Sequence, residues 1–81
     1  MNVDEPWNLP KVSLKKTGEK IRELRQKRNL TVNNLRDILG LMDSNTIYHW
    51  ETGRNFPSIN HLVGLSVIFN IRVDNLLQLE D

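Results

Sequence analysis

Residues 31–51 constrain the fold of this 81-residue chain more than any other stretch. Gly40 divides the stretch in two, and each part has the three-to-four-residue spacing of apolar side chains that marks one face of an α-helix. The apolar positions are Leu35, Ile38 and Leu39 before the glycine, and Ile47 and Trp50 after it. The pattern predicts two short helices joined by a tight turn.

Residues with the chemistry of helix ends lie at the borders of both predicted helices. Thr31 can cap the first, because its hydroxyl can accept a hydrogen bond from an unpaired amide of the first turn. Gly40 follows the last apolar residue, where a left-handed backbone is needed. Asp43 or Ser44 can cap the second helix. The outline is that of a helix-turn-helix; a plain αα-hairpin has the same outline, so the pattern alone leaves the function open.

The same signals predict three further helices. The first helix is capped by Ser13 and ends near Arg28; its buried face holds Leu14, Ile21, Leu24 and, beyond its end, Leu30, and Gly18 allows a close neighbour. Residues 31–39 and 44–52 are the second and third. The fourth is capped by Ser58 and ends near Phe69, with Ile59, Leu62, Val63 (partly), Leu65, Ser66 and Phe69 on its inner face; the fifth covers residues 73–79. No strand pattern appears, so an all-α fold of five helices around one core is expected.

The first twelve residues differ from the rest of the chain. They contain Pro6 and Pro10 and show no helical period, so residues 1–12 are expected to form an extended N-terminal arm. Residues 13–81 then form the helix-turn-helix domain. Trp7 within the arm either folds back onto the domain or contacts a partner, and the first of these is favoured.

Composition removes several classes of function. The chain has no cysteine and two histidines, His49 and His61, without acidic neighbours at ligand spacing, so no metal site is expected. No nucleophile–histidine–carboxylate set or glycine-rich phosphate loop appears, so neither an enzyme nor a cofactor is expected. The apolar runs are far shorter than the roughly 20 residues of a membrane span. The start of the chain does not resemble a secretory signal, and a cytoplasmic location follows by default.

Charge is distributed unevenly along the chain. Residues 1–40 carry nine Lys/Arg and five Asp/Glu, a net charge of +4, and residues 41–81 carry two and five, a net charge of −3. The basic excess lies between Lys11 and Arg28. Such a basic half suits an anionic partner, although on charge alone a solvated helix face is the favoured interpretation.

The order of motifs resembles the Xre/Cro-like family of phage and bacterial repressors. The matching segments are IRELRxxRxLT, LxxxLGL, IYHWExGRxxPS and LxxLSxxFNIxVDxLL, and they extend from Gly18 to Leu77. The resemblance implies a compact five-helix, lambda-repressor-like DNA-binding domain with its helix-turn-helix at helices 2 and 3. In that geometry helix 3 lies in the major groove and presents its first residues to base edges.

The resemblance also implies roles for individual residues. Base edges would be read from helix 3, with Asn45 as the strongest candidate because a carboxamide can pair with adenine N6 and N7. Arg25 and Glu51 resemble a structural salt bridge between helix 1 and the end of helix 3. The candidate DNA-binding residues are Thr31, Val32, Arg36, Ser44, Asn45, Thr46, Tyr48, His49, Arg54 and Ser58.

Three features depart from the family pattern. Val32 replaces the glutamine that family members place near the start of helix 2, where it contacts phosphate. Arg36 replaces a small residue at the close approach of helices 2 and 3, and must point out of that contact or open it. Residues 41–56 carry a net charge of −1, so cations would have to come from Arg54, Arg36 and the first helix.

Two functions compete at the level of sequence. The first is a sequence-specific double-stranded DNA-binding transcriptional regulator, a repressor acting by occlusion at an operator and a homodimer at least on DNA. The alternative is a helix-turn-helix protein-interaction module, antitoxin-like or regulatory, without specific DNA binding. The acidic recognition segment and the exposed Tyr48, Met42 and Trp7 favour the alternative.

Overall fold

The computed structural model describes residues 7–81, so residues 1–6 of the predicted arm lie outside the described residues. This described part contains five helices. They are α1 (Leu14–Lys27), α2 (Val32–Leu39), α3 (Asn45–Glu51), α4 (Ile59–Ile68) and α5 (Val73–Leu76). The prediction of an all-α, five-helix fold is confirmed. None of the described helices is long and apolar enough to cross a membrane.

Side-chain caps define where α1 and α4 begin. The Ser13 hydroxyl accepts from the Lys16 amide at 3.0 Å, and the Ser58 hydroxyl accepts from the His61 amide at 3.2 Å. Each of these bonds satisfies an amide that has no acceptor within its own helix. Left-handed residues follow or end α1, α2 and α4: Asn29, Gly40 and Asn70 have φ of 56°, 70° and 51°. The first four helices therefore begin and end within one or two residues of the predicted positions.

One apolar core lies between the helices. Its members come from all five of them, and they are Ile21, Val32, Leu35, Ile47, Trp50, Leu65, Phe69 and Leu76. The core is completed by partly buried neighbours such as Leu24, Leu30 and Leu62. Trp50 is therefore a core residue, as its spacing from Ile47 predicts.

Three apolar residues predicted to face the core are exposed instead. Ile59 is 79% exposed, Ile38 is 55% exposed and Leu14 is 36% exposed. Leu14 and Ile59 are the first residues of their helices. The short α2 buries Leu35 and partly buries Leu39. The apolar face of α2 is wider than the surface that packs against it, so the Ile38 side chain remains exposed to solvent.

The C-terminal end differs from the predicted fifth helix. Helix α5 stops at Leu76, and Leu77 is already extended, with φ −76° and ψ 125°. Leu79 instead forms an isolated antiparallel bridge with Val12. The amide of Glu80 donates to the carbonyl of Lys11 at 2.8 Å. The last two residues of the predicted arm are thus hydrogen-bonded to the end of the domain.

Trp7 does not fold back onto the domain, contrary to the favoured expectation. Its side chain is 64% exposed, and residues 7–10 form no regular secondary structure. The anchor of the arm lies instead at the residue before α1, where the amide of Ser13 donates to the carbonyl of Gln78 at 2.7 Å.

Helices α1 and α3 approach so closely that only glycine fits at the crossing. A Cβ atom placed on Gly18 would lie 2.2 Å from the carbonyl oxygen of Trp50 and 2.9 Å from that of Glu51. Both neighbours are backbone atoms, which cannot rotate away. This contact fixes the position of α3 against the longest helix of the domain.

Candidate nucleic-acid interface

Helix α3 has a buried side and a solvent-facing side. Ile47 and Trp50 are 0% and 3% exposed, so the helix is fixed to the core through them. Asn45, Tyr48 and Thr52 all lie in solvent on the other side. In the described part of the chain, no hydrogen bond occupies the side chains of Asn45 and Tyr48, and both remain available to a partner.

A hydrogen bond in the turn before α3 shows which residue caps that helix. Asp43 does so, since its carboxylate accepts from the Asn45 amide at 2.9 Å. Ser44, the other candidate, has helical backbone angles and makes no capping bond. The Met42 side chain in the same turn is fully exposed.

Ser44 connects α2 to α3 instead of pointing freely at solvent. Its hydroxyl donates to the Asn33 side-chain oxygen at 2.6 Å and accepts from a guanidinium nitrogen of Arg36 at 3.3 Å. The only hydroxyl proton of Ser44 is therefore already used. Ser44 is a candidate DNA-binding residue, but its hydrogen bonds place it where it can hold the start of α3 against α2.

Arg36 lies at the edge of the α2–α3 contact and points outward. Its Nε and Nη2 atoms each lie 2.9 Å from a carboxylate oxygen of Asp37. Because exposed ion pairs contribute little stability, this pairing can be exchanged for another anion. The side chain offers no strong free charge to a phosphate while it is paired.

The start of α2 combines a complete cap with a buried first residue. The hydroxyl of Thr31 accepts from the Asn34 amide at 3.0 Å, and the Asn34 side chain accepts from the Thr31 amide at 3.0 Å. Val32 is only 7% exposed and belongs to the core. The sequence predicts that Val32 contacts phosphate through the amides at the start of helix 2, and this stays a prediction, because the buried apolar side chain itself reaches no partner. Only its backbone amide can contribute.

A cleft of about 310 Å³ separates α3 from the start of α4. Thr46, His49, Ser58 and His61 are among its lining residues. The guanidinium of Arg54 lies 3.5 Å from Nε2 of His49 at this side of α3. The ring of His61 stacks at a tilt on Trp50, with 5.4 Å between ring centres. The cleft therefore brings together three predicted site residues, Thr46, His49 and Ser58, and Arg54 lies beside His49.

The ion pair between Arg25 and Glu51 ties α1 to the end of α3. Nε and Nη2 of Arg25 donate to the two carboxylate oxygens of Glu51 at 2.7 and 3.0 Å, and Nη1 donates to the carbonyl of Leu30 at 2.9 Å. Both side chains are largely buried, at 11% and 5% exposure. The hydrogen bond to Glu51 raises the pKa of Arg25 against the opposing effect of burial. The arginine is therefore a permanent cation whose charge is neutralised in place.

A larger groove of about 700 Å³ lies on the opposite side of α3. It runs between the C-terminal half of α1, the start of α2 and the outer side of α3. Its lining includes Arg22, Gln26, Asn29, Tyr48 and Thr52. Arg22, Gln26 and Asn33 are not among the residues predicted from sequence. The spacing of 22, 26 and 29 is a helical repeat that could have indicated the first two.

No group of three or more His, Cys, Asp or Glu residues that could hold a metal ion occurs between residues 7 and 81. The two histidines lie in the cleft between α3 and α4, where their neighbours are hydroxyl, amide and aromatic side chains.

Comparison with known proteins agrees with this geometry. The family described as helix-turn-helix domain matches residues 18–81, which is most of the chain. The chain belongs to the Xre/Cro-like helix-turn-helix family. This confirms the resemblance found in the sequence, and α2, the turn and α3 are its helix-turn-helix.

One curated relative is the HTH-type transcriptional activator BcrR of Enterococcus faecalis. It is 33% identical to this chain over 64 residues, which cover 79% of this chain and 31% of that protein. The chain therefore spans about a third of the length of the relative.

Solved structures show the same fold. The restriction-modification controller protein C.AhdI from Aeromonas hydrophila superposes with a TM-score of 0.69 at 28% identity, covering 78% of this chain and 94% of that one. The biofilm master regulator SinR, solved in complex with DNA, gives a TM-score of 0.66 at 21% identity, covering 74% and 95%. The likeness to SinR concerns the fold alone.

Proposed function

We propose that this helix-turn-helix protein is a sequence-specific double-stranded DNA-binding transcriptional regulator that reads the major groove with α3. The proposal rests on the contrast between the two sides of α3. Its inner side is fixed by Ile47, Trp50 and the Glu51 ion pair, whereas Asn45 and Tyr48 stand in solvent without partners. A rigid helix with free polar side chains near its start suits base reading. The function is binding, with no catalysis and no cofactor.

Asn45 is the residue proposed to select a base. It is the first residue of α3, and its carboxamide can donate to N7 of adenine while it accepts from the N6 amino group, in the bidentate pattern. Tyr48, one turn later, can reach a base or a phosphate through its hydroxyl. Thr46 and His49 are half-buried at the edge of the cleft and are proposed to contact the backbone. Ser44 is proposed to position α3 through Asn33.

Phosphate contacts are proposed at two helix starts and one loop. The first amides of α2, after Thr31, and of α4, after Ser58, have no acceptors within their helices and face anions favourably. Arg54 supplies a cation between α3 and α4. Arg36 can join them if phosphate displaces Asp37, which would replace the glutamine contact that Val32 cannot make.

Two copies are proposed to bind one operator. A single module buries only about 600–1,000 Å² against DNA, whereas two copies on half-sites about 34 Å apart would double the contacts. The apolar Val67 and Leu79 are exposed, at 74% and 52%, and can supply a contact between copies. Bound across a promoter, such a dimer represses by occlusion; activation, the role named for BcrR, would require an operator upstream of the promoter.

Selection from a random duplex library, followed by fluorescence anisotropy at two salt concentrations, tests the proposal. We expect an enriched two-fold symmetric motif that binds less tightly as salt rises. Salt-sensitive binding without a motif would contradict sequence-specific reading. The absence of binding even at low salt would contradict DNA binding altogether and favour the protein-interaction alternative.

Asn45→Ala is expected to weaken binding to the selected motif by about 1–3 kcal/mol and to relax the choice of base at one position of each half-site. The reason is the loss of a bidentate pair without any change in charge. Anisotropy on the motif and on its three base-pair variants at that position measures both effects. Unchanged affinity and unchanged preference would show that Asn45 does not face the bases.

Arg54→Ala is expected to weaken binding to all duplexes similarly and to reduce the salt dependence by about one phosphate contact. The residue is exposed on the loop after α3, so the fold should be unaffected. Titrations of the motif and of a scrambled duplex across a range of salt measure the change. A loss confined to the motif would instead place Arg54 at a base edge.

A further inference from the structure

The groove on the α1 side of α3 has a charge balance suited to an anion. Two arginines and one carboxylate line it: Arg22, Arg25 and Glu51. Arg25 uses two nitrogens on both oxygens of Glu51, so these two charges cancel. Within residues 7–81 no acidic group lies at salt-bridge distance from Arg22, which is exposed. Among residues 7–81, Arg22 is therefore the cation of the groove that has no acidic partner.

The remaining lining combines the apolar Leu30 and Val32 with neutral polar side chains that can donate hydrogen bonds. Arg22, Gln26 and Asn29 occupy the same face of α1 and the turn that follows it, because they are four and three residues apart. Tyr48 and the capped start of α2 line the same groove. A tetrahedral oxyanion is the ligand class that uses a cation and several N–H or O–H donors together.

The position of the groove identifies which oxyanion would reach it. A major groove about 12 Å wide is filled by a helix of 10–12 Å diameter, so one DNA strand must pass along each side of that helix. The cleft near Arg54 lies on one side of α3 and this groove lies on the other. Helix α3 itself contains no lysine or arginine, so cations must come from the flanks.

We infer that this groove is a binding site for a DNA backbone phosphate, with Arg22 as its cation and Gln26 as a neutral donor. The inference rests on the proposed DNA binding, and it extends the phosphate contact proposed at the start of α2, which lines the same groove, to two residues of the first helix. The first helix thereby supplies the charge that the recognition helix lacks. One strand is held at Arg54 and the other at Arg22.

The test compares Arg22→Gln with wild type on a short mixed-sequence duplex, by anisotropy over a range of salt. Loss of one phosphate contact should reduce the slope of log K against log salt by about 0.9 and weaken binding about 3- to 10-fold at about 100 mM salt. Arg22→Lys keeps the charge and should keep the slope.

Lys27→Gln is the matched control. It removes the same charge from the same helix, but Lys27 is paired with Glu23 at 3.2 Å and is not among the residues that line the groove. We expect its slope to equal that of wild type. Equal slopes for Arg22→Gln and wild type, or an equal loss in Lys27→Gln, would overturn the inference while leaving DNA binding intact. A wild-type protein that binds no duplex at low salt would overturn the proposed function and the inference together.

Discussion

Gly18→Ala is expected to destabilise the domain by about 3–5 kcal/mol, at the upper end of what overpacking costs. The added methyl group would lie 2.2 Å from the carbonyl oxygen of Trp50. The methyl group is attached to the backbone of α1, and the oxygen that it would contact belongs to the backbone of α3. Because neither group can rotate away, the two helices must separate. That separation stretches the Arg25–Glu51 pair and opens the core at Ile21. For a domain of this size each kcal/mol lowers Tm by about 4–8 °C.

Urea unfolding followed by far-UV circular dichroism measures the effect. Two other glycines provide controls that change the same atoms. Gly40 has φ +70° with open space around it, so alanine there should cost only about 1–2 kcal/mol of backbone strain. Gly64 faces the Leu39 side chain at 3.1 Å, which can move, and alanine regains helix propensity of about 1 kcal/mol. If Gly18→Ala were no worse than Gly40→Ala, the close crossing of α1 and α3 would be disproved.

The helices were predictable because their signals are local. A cap such as Ser13 or Thr31, an apolar repeat and a left-handed residue such as Gly40 each act within a few residues of the chain. Together they locate the helix-turn-helix without knowledge of the partners it packs against. The presence of a close neighbour at Gly18 was predictable in the same way, although the identity of that neighbour was not.

Features that depend on how two elements meet were not predictable. The bridge between Val12 and Leu79 joins residues far apart in sequence and has no periodic pattern, so the fifth helix was predicted too long. Ile38 and Ile59 fit the helical repeat whether they are buried or exposed. The packing of the short helices against each other decides which of the two they are.

Within the candidate site, the side chains on the outside of α3 were predictable but their hydrogen bonds were not. Asn45 and Tyr48 are exposed as the repeat requires. The bond from Ser44 to Asn33 depends on the angle between α2 and α3, which no local pattern determines. The groove at Arg22 likewise exists only because α1 crosses α3. The spacing of Arg22 and Gln26 places both on one face of α1, but it does not show which elements lie opposite that face.

Arg25→Met is expected to cost about 3–5 kcal/mol, because it leaves the Glu51 carboxylate buried without its partner. That carboxylate is only 5% exposed, so water cannot replace the guanidinium. The same change also removes a donor from the carbonyl of Leu30. The loss is comparable to the whole stability of a small domain.

The paired substitution separates the buried charge from the loss of packing. Arg25→Met/Glu51→Leu removes both charges and fills similar volume, and such replacements are often neutral or stabilising. We therefore expect the double variant to be more stable than Arg25→Met alone, with a coupling energy of about 2–3 kcal/mol in the double-mutant cycle. Unfolding in urea of the four proteins gives this energy directly. A double variant as unstable as the single one would mean that the pair stabilises mainly through the Leu30 carbonyl.

The ion pair also holds the end of α3 against α1. We therefore expect the apolar double variant to fold and yet to bind the selected motif more weakly than wild type. That result would show that the pair orients the recognition helix as well as stabilising the domain.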